Sequence, residues 1–303
     1  MKALCAAMIG FCAPAMACEA QRDLIVSQLV FGGLDVIERG TVSKFDTGCH
    51  LRDLKLSTGS YLQVPIADVS WSGQGLEQMM AGAFGAFDLQ ASFKGLQMVA
   101  VAPEDAGLSY LMALQQRYNL IDGHVDVAFD PKIGQLRLDA FRIDFPDQSF
   151  IDITGHVSGD ASFDNRSLVD VLTELTLPTL TISANNAGYL DSFVFSVLVG
   201  HLSAVDNPED VVEAAKTQAI VAIGDLPDAV FDADTRAALA RFVADGPMVR
   251  GAFTFELSGD PGLLFARLVE WETEANPFGA DALSDLLQGT VIRATFQPWS
   301  PSK

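Results

Sequence analysis

The octapeptide GHVDVAFD, residues 123–130, sets Val125, Val127 and Phe129 alternately with His124, Asp126 and Asp130. Successive side chains leave a β-strand on opposite sides, so this alternation reads as a strand with one buried and one wet face. Asp122, His124 and Asp126 share the wet face, a grouping that invites a metal or an imidazole base held by carboxylates. The plain polarity of the strand explains them as well. Related stretches are GTVSKFD (40–46), GAFGAFD (82–88), GHVSGDASFD (155–164) and GAFTFE (251–256). In these the place of His124 is taken by Thr41, Ala83, His156 and Ala252, so the strand does not require an imidazole. No metal ligand and no catalytic residue is assigned from the grouping. The constant feature is the glycine, expected where backbone turns or closely approaches a neighbour before a strand.

Phe45, Phe87 and Phe129 follow one another at intervals of 42 residues, and Phe163 comes after a further 34. A loosely repeated strand unit with insertions is expected, with these phenylalanines buried together. Between the copies, YLQVPIADVSW (61–71) places Leu62, Val64, Ile66, Val69 and Trp71 inward, with Pro65 marking an edge or a bulge. LRLDAFRIDF (136–145) changes parity at Ala140, which predicts a bulge. SFIDITGHVSG (149–159) adds a short strand and VIRATFQPW (291–299) a last one. Strands with one polar face argue for an antiparallel sheet open to water on one side.

Helical signals come mostly later. Residues 206–223 open with Asn207 as cap and Pro208 in the first turn, and 232–246 open on the capping acids Asp232 and Asp234 and end at Gly246. The Asp-Pro of 259–272 suggests another helix start, ADALSDLLQG closes a short helix at Gly289, YLDSFVFSVLVGHL (189–202) reads as a core helix, and 104–118 and 166–175 add two more. The expected fold is α+β. Its antiparallel, curved sheet of repeated strand units occupies the N-terminal part, followed by a helical segment near 189–246 and a mixed C-terminal end.

Residues 1–17 carry Lys2, an apolar run from Ala3 to Ala13, Pro14 and then Ala15-Met16-Ala17, the layout of a secretory signal with a small-x-small cleavage site. The expected organisation is a signal over 1–17 and one exported domain over 18–303, with a sub-boundary near 185. After cleavage no stretch reaches the roughly 20 apolar residues of a membrane helix. The mature chain would keep only Cys18 and Cys49, a pair suited to one disulfide in an oxidising space such as the periplasm. Ala-Met-Ala-Cys also loosely resembles a lipoprotein box, which would make Cys18 a lipidated terminus, although Ala15 stands where Leu is usual.

The net charge of −20 repels phosphate backbones and anionic lipid surfaces, and the chain has no cluster of Lys or Arg to override that field. Nucleic acid is excluded as a partner on this ground. G-x-S-x-G, H-E-x-x-H, C-x-x-C, G-x-G-x-x-G and Walker-type loops do not occur. No cofactor is expected. The run LRDLKLSTGSYLQVPIADVSW (51–71) resembles the strand pairs of AsmA-like bacterial envelope proteins, over about a third of the chain. That resemblance implies a curved sheet whose apolar concave face shelters lipid chains, and it transfers no functional residue. The functional expectation is an exported periplasmic protein that binds an apolar or lipid-like ligand or supports the envelope. A module offering strand edges to an envelope protein is the alternative, and a hydrolase without a recognisable motif comes third.

Overall fold

A computed structural model describes residues 18–31, 33–45, 48–59, 62–75, 85–102, 104–159, 174–191, 206–272 and 280–300. The expected signal (1–17), Phe163, Gly82 and most of the helices at 166–175 and 189–202 lie outside the described residues. Helix α1 (Cys18–Phe31) is followed by β1 (Asp35–Phe45), β2 (Gly48–Thr58), β3 (Leu62–Gln74), β4 (Phe87–Leu96) and the short β5 (Val99–Ala100). Helix α2 (Ala106–Gln116) leads to β6 (Ile121–Asp130), β7 (Gln135–Asp144), β8 (Phe150–Ser158) and β9 (Thr176–Asn186). Helices α3 (Pro208–Gly224) and α4 (Ala233–Asp245) precede β10 (Gly251–Leu264), α5 (Phe265–Glu272), α6 (Ala280–Leu286) and β11 (Thr290–Pro298). The strands form one 11-stranded sheet in the order β1-β2-β3-β4-β6-β7-β8-β9-β10-β11, with β5 beside β3. Every pairing between its strands is antiparallel.

The register turns alternation within each strand into rows across the sheet, because directly opposed residues share a face. One row runs Val42, Leu51, Val69, Phe93, Gly123, Ile143, Ile151, Ala184, Phe253, Phe296. The adjoining row on the opposite face runs Ser43, His50, Ser70, Ser92, His124, Arg142, Asp152, Ser183, Thr254, Thr295. The sheet therefore has an apolar face and a polar face along its whole width. Gly123 belongs to the first row because Phe93 fills its space: a Cβ there would stand 2.5 Å from the Phe93 ring.

Local irregularities preserve this segregation. β7 pairs Val127 with Leu138 but Asp126 with Ala140, the bulge expected from the parity change. On the other side of the sheet a crease crosses the first four strands. Gly40 (φ 69°), Asp53 (φ 58°) and Gly95 (φ 65°) take left-handed backbone there, and a Cβ on Gly95 would come within 3.0 Å of the Ala67 Cβ. Aspartate enters that region more readily than most residues with a side chain. Because of the crease both Leu51 and Leu54 point inward, as do Val69 and Ile66 opposite them. Pro65 lies in an interior strand rather than at an edge. Its carbonyl accepts from the Gln97 amide, so its missing N–H faces the break between β4 and β5, where no ladder bond is lost.

Helices cover the apolar face at the two ends. At one end α1 lies on β1 and β2, and Cys18, Cys49, Leu51, Leu54, Leu56 and Trp71 form a core. The Cys18–Cys49 disulfide bonds the helix to the sheet, and the Trp71 indole N–H donates to Gln21 Oε1 at 2.7 Å. At the other end Val230, Phe231, Leu257, Leu263, Leu286, Leu287 and Ile292 form a second core. There the free edge of β11 is occupied. The Ile292 amide donates to Val230 O at 2.9 Å, and the Ala294 amide donates to Thr235 Oγ1 at 3.2 Å. Asp232 caps α4 by accepting from the Thr235 amide at 2.7 Å, and those hydrogen bonds hold its carboxyl below its ordinary range.

The structure corrects the α+β expectation. Among the described residues strands outweigh helices, so the fold is mostly β, an open antiparallel sheet with helices packed on it. Two segments account for the difference. TLPTLTISANN, read as no element, is β9, whose Leu180, Ile182 and Ala184 alternate with Thr179, Thr181 and Ser183. Gly259–Leu264, read as a helix opening through Asp260-Pro261, completes β10 instead. The Asp-Pro pair sits where the register slips between Ser258 and Leu263, and pairing resumes at Leu263 with Leu177. The expected strand-initial glycines also move, since Gly40, Gly123 and Gly155 all lie inside strands.

The disulfide closes a loop with a sequence separation of 31. Replacing Cys18 and Cys49 by serine is expected to cost about 3–4 kcal/mol through the entropy regained by the unfolded chain, read by urea unfolding under non-reducing conditions. A cost near zero would show that α1 does not need its tether. Thr235→Val keeps the shape but leaves the Ala294 amide without its acceptor at a site 2% exposed. The same measurement should register a loss of about 1–3 kcal/mol.

Candidate functional site

The polar row is built by strands β2, β3, β4 and β6, which place His50, Ser70, Ser92 and His124 side by side. Two small serines between two imidazoles leave a depression. It forms a recess of about 330 Å³ lined by Phe45, Ser70, Ser72, Gln90, Ser92, His124 and Asp126, together with Trp71, Ala91 and Val125. Phe45 ends β1 on this face, 43% exposed, with its ring edge-on to His50 at 6.5 Å. The ring can lie down because position 48 is glycine: a Cβ there would meet Phe45 Cζ at 2.7 Å and the Ser72 Cβ at 2.9 Å. The expectation that Phe45 is buried with the other phenylalanines is thereby corrected. Phe129 is buried, 7% exposed, and packs on Phe87 at 5.9 Å, while Phe45 belongs to the wet face.

The Asp122, His124 and Asp126 grouping does not converge. Asp122 accepts from the Gly95 amide at 2.8 Å, Asp126 accepts from Gln90 Nε2 at 3.2 Å, and His124 is exposed between Ser92 and Arg142. Among the described residues no group of three or more His, Cys, Asp or Glu side chains could hold a metal ion. His124 and Asp126 instead share the recess. Next to it His50 is hydrogen-bonded to Asp68, and the Ser70 and Ser92 hydroxyls are bonded to each other at 2.8 Å. Serine and imidazole stand on adjacent strands here, but the nucleophile-to-base hydrogen bond of an acyl-transfer centre is not formed. Beyond His124, Arg142 donates to Asp144 at 2.9 Å and to Asp152 at 3.3 Å, with its guanidinium 4.3 Å above the Phe150 ring. The hydrogen bond to Asp144 raises its pKa further, so Arg142 is a permanent cation already neutralised by two carboxylates.

The apolar face offers a different surface. At the ends its side chains are closed off: Leu51 is 1% exposed and Ile292 3%. In the middle Val125, Phe141, Ile143, Ile151, Ile153 and Ile182 are only half-buried. The helix packing found among the described residues falls mainly on β1, β2, β5, β10 and β11. Of the residues singled out in the sequence, Cys18 and Cys49 are joined and buried. Phe45, Ser70, Gln90 and Ser92 were missed as a group; alternation gives their face, but only the register shows that they meet.

No protein-family model and no curated protein matches this chain.

Phe129 and His124 separate scaffold from wet face on one strand. Phe129→Ala should cost about 3–5 kcal/mol through lost burial and a residual cavity. His124→Ala should stay within about 0.5 kcal/mol, as surface changes usually do. Thermal or urea unfolding of the two variants decides, and equal losses would overturn the assignment of the faces.

Proposed function

We propose that the chain is an exported, non-enzymatic binding protein that shelters an apolar or lipid-like ligand against the middle of its sheet. The observation that carries this reading is the half-buried apolar face across β6–β9, between two ends that helices seal. Apolar surface left partly open in a folded chain is costly unless something covers it, and ligand sites are concave surfaces of this composition. The AsmA-like resemblance implies the same ligand class. Export is supported by the Cys18–Cys49 disulfide, a bond that persists in oxidising compartments, and by the leader-like residues ahead of Cys18. No helix among the described residues is long and apolar enough to cross a membrane.

A second reading, an interaction module, is favoured by one asymmetry. The edge of β11 is capped by Val230 and Thr235, whereas among the described residues no strand pairs with the outer edge of β1. An open edge can accept a strand from a partner. Native mass spectrometry of the protein purified from its own host tells the two apart. The ligand reading expects a bound lipid that is lost in an Ile153→Glu variant whose unfolding transition remains cooperative. A stoichiometric protein with no lipid would sink it in favour of the interaction module.

A further inference from the structure

The recess on the polar face is independent of the apolar-face reading, and its chemistry is specific enough to name a ligand class. We propose that it binds a neutral, polyhydroxylated ligand: a saccharide unit stacked on Phe45 and hydrogen-bonded by Ser70, Ser92, Gln90, His124 and Asp126.

The lining excludes the other classes in turn. An anion would meet the Asp126 carboxylate in a chain of net charge −20, with no Lys or Arg in the lining and Arg142 already held by Asp144 and Asp152. A hard cation needs about six or more oxygen ligands, and the recess brings one carboxylate, itself engaged by Gln90. An apolar ligand would strip water from hydroxyls, an amide and an imidazole without replacing their hydrogen bonds. A neutral polyol replaces them. The Ser70–Ser92 pair retains one free hydroxyl donor and spare acceptor lone pairs, Gln90 and His124 both donate and accept, and Asp126 accepts from ligand hydroxyls. Phe45 supplies the remaining element. Its exposed ring lines the recess in the room that Gly48 leaves, and the C–H face of a sugar ring would stack on it. The volume of about 330 Å³ sits at the small end for ligand sites, enough for one or two sugar rings.

The test uses the full mature chain and three neutral probes, maltose, cellobiose and N,N′-diacetylchitobiose, followed by saturation-transfer NMR and by the His124 ring resonances. Glucose 6-phosphate and calcium chloride serve as charged comparisons. At least one neutral disaccharide should give transfer signals and shift His124. Its affinity should fall about two- to tenfold in Phe45→Ala, the weight of one stacked ring. Gln90→Ala should weaken it as well, and Thr254→Ala, on the same row but far across the sheet, should leave it unchanged. Near-UV circular dichroism checks that each variant keeps its fold. Absence of binding by all three sugars overturns the proposal. So does binding that neither Phe45→Ala nor Gln90→Ala weakens, or a charged comparison that binds in their place.

Discussion

The constraint on which everything else rests is the period of two along each strand, restored after every register shift across ten antiparallel pairings. A strand has no freedom to choose its face once its register is fixed, and a slip of one residue would move its apolar set into water. Each irregularity must therefore be absorbed where it arises. β7 does this by carrying two residues, Asp139 and Ala140, where β8 spends only Thr154 between Gly155 and Ile153, so Leu138 and Phe141 both stay on the apolar face. The first strands do it jointly. Left-handed backbone at Gly40 and Asp53 on neighbouring strands, and at Gly95 two strands on, turns the inward parity of β1, β2, β3 and β4 together. A change on one strand alone would bury Arg52 or expose Leu54.

Much of this was legible in the sequence, and the reason is that alternation is local. Val125, Val127 and Phe129 announce their strand without reference to any partner, as do Leu62, Val64 and Ile66 with the parity change before Val69, and the bulge at Ala140. The cap at Asp232 follows from a short-range rule, and the disulfide from the two cysteines left after the expected signal. Sequence fails where the signal is weak or is shared between states. β9 hides its alternation among threonines and a proline, and Asp260-Pro261 reads equally as a helix opening and as a strand bulge. The recess was out of reach for another reason. Ser70, Ser92 and His124 are distant in sequence and meet only through two registers, and the place of Phe45 depends on Gly48 leaving room for its ring.

The two ends of the sheet and its middle play opposite parts. A sheet this wide cannot rely on one core, and two form among the described residues, each where a helix packs on the strands. At the first, the disulfide and the Gln21–Trp71 hydrogen bond fix α1. At the second, α4 is tied to the last strand through Thr235 and rests on Val230 and Phe231. Fully buried side chains at these ends contribute about 1.5–3 kcal/mol each, and the half-buried ones between them proportionately less. Local stability should therefore be lowest in the middle strands, where the proposed apolar ligand would sit, whereas the polar recess lies mostly behind the first core.

That gradient bears on how two ligands could share one sheet. The apolar face of β6 carries Val125 and its polar face carries His124 and Asp126, so the two sites meet at this one strand, on opposite sides of a single layer of backbone. A ligand that orders β6 from one side removes part of the conformational cost of binding on the other. The coupling would be positive and would need no change of register. It would run through β6 and its pairing with β4, where Ala91 and Val125 lie together on the apolar face and Ser92 and His124 together on the polar one.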